Sequence, residues 1–320
     1  MAHSANATAE RELKLALRRK AWREYSINWE LYLMALLPVI WLIVFMYLPM
    51  YGNVIAFKRF VASKGIWGSP WIGFANFERF FTSFKFGNIM WNTFFLNAYD
   101  LVLGFPIPII LAILLHYTPF QGYKKTVQMV TYAPHFISTV VMVGIIFKLF
   151  SQRIGIVNVA LTALGLPESN FLGSPLWFPH IYVWTNIWQN MGYATIIFLA
   201  ALSAVDPELH EAARVDGATI WQRIWHIDLP GIAAVVIILL ILRLGQILNI
   251  GFEKVFLMQN TVNIVASEVV DTYVYKVGLA SRNPNFSYAS AIGLFKNVIA
   301  FFLLIAVNRI ARRTSETSLW

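Results

Sequence analysis

Five residues between positions 182 and 193 carry polar or aromatic groups at the spacing of one helical face: Tyr182, Asn186, Gln189, Asn190 and Tyr193, at offsets 0, 4, 7, 8 and 11. Trp184 and Trp188 form a neighbouring stripe four residues apart. Further along, Arg243, Gln246, Asn249 and Glu253 fall close to one face, and Ser290, Lys296 and Asn297 add a third polar group. An amide presents donors and an acceptor together, and an aromatic ring presents a flat apolar face. Together they suit a solute with many hydroxyls and exposed C–H faces, which is the chemistry of a sugar. The same groups serve equally well to hydrogen-bond neighbouring helices or a partner chain, and the sequence leaves both uses open. Arg243 and Lys296 sharpen the pattern. Two cations in apolar segments, with Asp100 the clearest acid there and Glu253 near an end, would favour an anionic saccharide such as an alginate or pectin fragment. An ion pair, or a charged head reaching for an interface, is the plainer account of the same two residues.

The elements that must position these groups are membrane helices. The chain has 320 residues, 58% hydrophobic and 13% charged, where a soluble domain carries about a quarter charged residues. The apolar material comes in blocks of the length that crosses about 30 Å of hydrocarbon as a helix. Blocks this long and unalternating are not barrel strands. The expectation is an all-α integral membrane protein with six transmembrane helices, at about 31–56, 93–116, 126–150, 177–203, 231–252 and 288–309. The 31–310 span domain is preceded by a polar, basic segment 1–30 and followed by a tail 311–320. Residues 1–30 do not read as a cleavable signal, because the first apolar block continues to full span length. A surface helix from about Glu10 to Arg23, or a solvated charged tail, fits that segment.

Lysine and arginine near span ends set orientation. Thirteen lie in the segments on the side of the N-terminus and nine in the opposite loops, so both termini and the loop 204–230 are expected in the cytoplasm. The net charge of +9 reflects these flanks and does not imply nucleic acid. There are no cysteines, which excludes disulfides, thiolate metal sites and cysteine nucleophiles. No paired carboxylates, no metal-ligand cluster and no nucleophile–base spacing stand out, so no metal site is expected. His116, His135, His180, His210 and His226 are scattered among different segments. A membrane enzyme is therefore unsupported. A stand-alone ion-coupled transporter of a polar solute would call for acid-rich spans and internal repeats, and neither is evident.

The loop 204–230 is the most hydrophilic stretch between two spans and has clear local grammar. Asp206 is a good N-cap, Pro207 fits the first helical position, and Glu208 complements the positive helix end. A helix from about Pro207 to Val215 would stop at Gly217, which is free to take positive φ. Thr219 would cap a second short helix through His226, and Pro230 would open the next span. Glu211, Ala212 and Ala213 fall late in the first helix, where two small side chains admit close approach of another surface.

The string Glu211-Ala212-Ala213-x3-Gly217-x9-Ile227-x-Leu229-Pro230 resembles, without gap or mismatch, the cytoplasmic coupling motif of binding-protein-dependent ABC importer permeases. Shorter strings point to the carbohydrate branch that imports complex oligosaccharides: Ile72-Gly73-Phe74-Ala75-Asn76-Phe77, Tyr132-Ala-Pro-His135-Phe-Ile-Ser138, Ser267-Glu268-Val-Val-Asp271-Thr-Tyr273-Val-Tyr275-Lys276, and Ser290-Ala-Ile-Gly293. The resemblance covers nearly the whole chain and implies the type I importer permease fold in its compact six-span form. It implies that the loop docks in a cleft of an ATP-binding subunit, that Gly217 permits the turn, and that Ile227, Leu229 and Pro230 anchor the loop to the membrane domain. ATP and magnesium would be held by two copies of that partner, which agrees with the lack of a Gly-x4-Gly-Lys-[Ser/Thr] loop here. A second, homologous permease subunit and an extracytoplasmic solute-binding protein complete the implied assembly, in a bacterial inner membrane. This chain would not itself be an enzyme.

Overall fold

A run such as WELYLMALLPVIWLIVFMYLPM has no polar face to alternate with, so a helix that satisfies its own backbone is the economical solution in a bilayer. In the computed structural model, which describes residues 27–314, Trp29–Phe57 is one helical run of 29 residues. The surface helix expected over 10–23 lies outside the described residues. Apart from Ala56, none of this first span is buried. A π turn at Ile43–Tyr47 precedes Pro49. The proline ring excludes the carbonyl four residues back, and the extra residue of a π turn accommodates it.

The second span, Phe86–Tyr117, begins about two turns before the expected position 93. Its added turns are held by Asn88 and Asn92, whose amides donate to the carbonyls of Val265 and Glu268 at 2.7–3.0 Å. The expected third span, 126–150, is not one straight helix. Gln121–Phe136 and Thr139–Phe150 meet at 105°. Pro134 supplies no donor, Ile137 is extended, and Ser138 caps the second half by accepting from the Val141 amide. The fourth span runs Trp177–Ser203 as expected. Gly192 lets it touch the third: a Cβ there would lie 2.2 Å from the Thr131 carbonyl oxygen.

The fifth span differs at both ends from the expected 231–252. Its helix is continuous over Ile220–Gly245, so the second coupling helix is not a separate element and Pro230 does not open the span. Pro230 is instead absorbed by a π turn, Ile224–Asp228, as Pro49 is in the first span. At the other end the helix stops at Gly245, and residues 246–251 turn away. The sixth span, Phe286–Thr314, continues past 310 into what was expected to be tail.

Between spans, short helices close the end of the bundle away from the coupling loop. Gly73, at φ +60°, turns the chain into helix Ala75–Phe81. There the buried Asn76 donates to the carbonyls of Ala56 and Lys58, tying the first loop to the first span. The string 267–276 clamps the second span in the same manner. Glu268 lies buried between Lys85 at 2.8 Å and Lys276 at 3.6 Å, and the Val270 amide donates to Thr93. Burial at Lys276 outweighs the attraction of Glu268 and lowers its pKa. The main core joins the second, third and fourth spans to helix Phe252–Met258.

Candidate functional site

The coupling loop forms from local rules. The Asp206 side chain accepts from the Glu208 amide at 2.9 Å, Pro207 holds the first turn, and the helix runs Pro207–Val215. Gly217 follows at φ +79°, in the left-handed region where only glycine is unstrained. Thr219 and Gln222 then cap each other reciprocally, which launches the fifth span. Glu211 and Ala212 are exposed and Ala213 is half-buried. Val215, Ile220, Trp221 and Trp225 add an apolar exposed rim, and Val215 is 88% exposed. Ile227 and Leu229 are half-buried and Pro230 is exposed. A small, apolar, accessible surface of this kind can seat against another protein.

Toward the opposite end of the same helix lies a cavity of about 180 Å³. Tyr182, Asn186, Arg243, Gln246 and Asn249 line it together with Asn97 and Asp100 of the second span. Asp100 is the hub. One carboxylate oxygen accepts from Asn186 Nδ2 at 2.8 Å, and the other accepts from Arg243 Nη1 at 3.1 Å. The chain of contacts continues from Asn186 to Asn190 at 3.1 Å, and from Asn190 Oδ1 to His135 Nδ1 at 3.1 Å. The His135 ring stacks on Tyr193 with centroids 4.0 Å apart. A second cavity, of about 260 Å³, shares Arg243 and Gln246 with the first and reaches Tyr193. The two cavities adjoin at Arg243 and Gln246, the first the more polar and the second the more apolar.

Several expected members stand elsewhere. Gln189 donates to the Ile137 carbonyl and props the break in the third span. Trp188 is exposed and lines neither cavity. Gln246 and Asn249 reach the cavity from the turn beyond Gly245, not from a helical face, and Glu253 belongs to the separate helix Phe252–Met258. Lys296 pairs with Asp271. Asn297 lines a different, more open cavity with Asp271 and Ser290. Arg243 and Lys296 therefore each have a carboxylate partner, and neither stands as an unpaired cation for an anionic sugar. Asp271 lies in a segment that reads as an outer loop, so its reach to Lys296 was hidden in the sequence.

Lys254 was missed altogether. It is 5% exposed, and its Nζ has no hydrogen-bond partner among the described residues. It faces the Tyr182 ring at 5.6 Å. Burial pulls its pKa down to about 8, against a smaller raising effect from Asp100. Its only sequence signal was a lysine three residues beyond Gly251, next to Glu253 and just ahead of the apolar run 255–258.

Comparison with known proteins agrees with this architecture. A family described as "Binding-protein-dependent transport system inner membrane component" matches residues 88–316. Protein LplB of Bacillus subtilis (strain 168) is 40% identical over 305 residues, covering 95% of this chain and 93% of that protein. The polygalacturonan/rhamnogalacturonan transport system permease protein YteP of the same organism is 42% identical over 290 residues, covering 91% and 90%. The crystal structure of a bacterial alginate ABC transporter, in complex with an alginate pentasaccharide-bound periplasmic protein, includes a chain that superposes with a TM-score of 0.86 at 37% identity. The match covers 93% of this chain and 99% of that one. This chain belongs to the binding-protein-dependent transport inner membrane components, the membrane-spanning permeases of ABC importers.

Proposed function

We propose that this chain is one of two permease subunits of an importer for oligosaccharides, acidic ones of the uronate type among them. It is driven by ATP hydrolysis in two separate ATP-binding subunits, which hold the ATP and magnesium. One observation carries the mechanism: a single helix, Ile220–Gly245, starts at the exposed coupling loop and ends with Arg243 lining the polar cavity. Closure of the ATP-binding pair on Glu211, Ala212 and Ala213 pushes this helix. Gly217 allows the turn, and Ile227, Leu229 and Pro230 pass the push to the spans. The cavity then opens alternately to either side. A solute-binding protein delivers sugar at the loops opposite, and a second, homologous permease supplies the facing wall. Both termini and the coupling loop lie in the cytoplasm.

The acidic preference rests on the named substrates of the relatives, polygalacturonan/rhamnogalacturonan and alginate, now that Arg243 and Lys296 are paired. The chain should be purified with its co-encoded partners, and ATP hydrolysis measured with uronate and neutral oligosaccharides of equal length. Stimulation by the uronate is expected. Transport by this chain without any ATPase subunit would sink the mechanism, and stimulation by neutral sugars alone would remove the acidic preference.

A further inference from the structure

His116, His210 and Asp228 are far apart in sequence, and folding brings them together beneath the coupling loop. His116 sits in the last turn of the second span, His210 on the coupling helix, and Asp228 in the π turn at the root of the fifth span. One ligand atom from each lies within 4.8 Å of the other two. Asp228 is wholly buried. Its Oδ2 accepts from the Tyr117 hydroxyl at 2.6 Å, while its Oδ1 and His210 Nε2 have no hydrogen-bond partner among the described residues. Those two unpartnered atoms face each other at 3.4 Å.

That separation is informative. An N–H···O bond closes to about 2.7–3.2 Å, so 3.4 Å is long for a hydrogen bond between groups with nothing else to contact. A tetrahedral zinc with ligand bonds of about 2.0–2.2 Å sets its ligands about 3.4 Å apart. We propose that His116, His210 and Asp228 form a binding site for a first-row divalent metal of the zinc class, which clamps the coupling helix to the roots of the second and fifth spans. Two imidazoles and a carboxylate are the donors such a metal takes in preference to magnesium or calcium. Three protein ligands leave a fourth position for water. Tyr117, hydrogen-bonded to the free carboxylate oxygen, holds the ligand from outside the coordination shell. Arg223 lies over the Tyr117 ring at 5.4 Å and fixes it.

The site stands on this chain alone, so its test is independent of any sugar. The full-length chain, carrying a tag other than polyhistidine, is stripped with a chelator and titrated with Zn2+ against a colorimetric chelator. The visible bands of bound Co2+ are recorded in parallel. One Zn2+ per chain is expected. His210→Gln and Asp228→Asn should each weaken it at least a hundredfold and abolish the Co2+ bands. Tyr117→Phe, which keeps every ligand, should weaken it about tenfold. If Asp228→Asn fails to fold, His116→Gln decides, since it leaves the buried carboxylate in place. Wild-type binding no tighter than that of His210→Gln or His116→Gln would overturn the site and leave only the direct His210–Asp228 contact.

Discussion

A buried ammonium with no hydrogen-bond partner is a standing cost to the fold, and Lys254 lets that cost be measured. Its Nζ is buried, and its pKa falls from 10.5 to about 8. At about 1.4 kcal/mol for each tenfold change in proton affinity, that difference corresponds to about 3 kcal/mol. The sign follows from linkage. Between pH 8 and 10.5 the unfolded chain holds a proton that the folded chain has released, so stability rises with pH across that window. Below about pH 8 the full cost is present. Lys254→Met keeps the length and packing of the stem and removes the charge. The variant should be more stable than wild type by about 1–3 kcal/mol at pH 7, the lower end allowing for lost attraction to Asp100. The gap should close as the pH is raised toward 10.5. Thermal unfolding in detergent, followed by tryptophan fluorescence at pH 6.5, 8 and 10, reads both quantities. A variant less stable than wild type at neutral pH, or a gap that persists unchanged at pH 10, would refute the reasoning.

Two further substitutions probe packing and charge. Gly192→Ala places a Cβ 2.2 Å from the Thr131 carbonyl oxygen, a backbone atom that cannot rotate aside. The third and fourth spans must separate, at about 1–3 kcal/mol, and a lower melting temperature in the same assay checks it. Glu268→Gln removes the acid held between Lys85 and Lys276. Both lysines are about a third exposed, so solvent screening limits the loss to about 1 kcal/mol. That loss should shrink when the melting temperatures are compared at high salt.

What the sequence disclosed, and what it hid, divides by range of interaction. The coupling loop was legible because Asp206, Pro207, Gly217 and Thr219 act on backbone within a few residues of themselves. The spans were legible because apolar runs of this length have few other uses. The face built on Arg243, Gln246 and Asn249 assumed a helix running through Gly245, although that glycine was itself a stop signal. The break in the third span was signalled by Pro134, but its angle depends on packing against Gln189, more than fifty residues on. The partners of the two cations were the least legible. Asp100 lies 143 residues from Arg243, and a sequence pattern carries no record of which acid folds back onto which base.

The unbroken helix Ile220–Gly245 has a mechanical consequence. Twenty-three residues separate Ile220 from Arg243, which at a rise of 1.5 Å each makes an arm about 35 Å long. A tilt of about ten degrees at the coupling end would sweep the guanidinium through about 6 Å. The Arg243–Asp100 contact is 3.1 Å long, so a rotation smaller than that already parts it. On the proposed mechanism the ion pair would act as a latch that releases on a small angular stroke. A spectroscopic label near position 243 would report that stroke directly, cycle by cycle, without any sugar being followed.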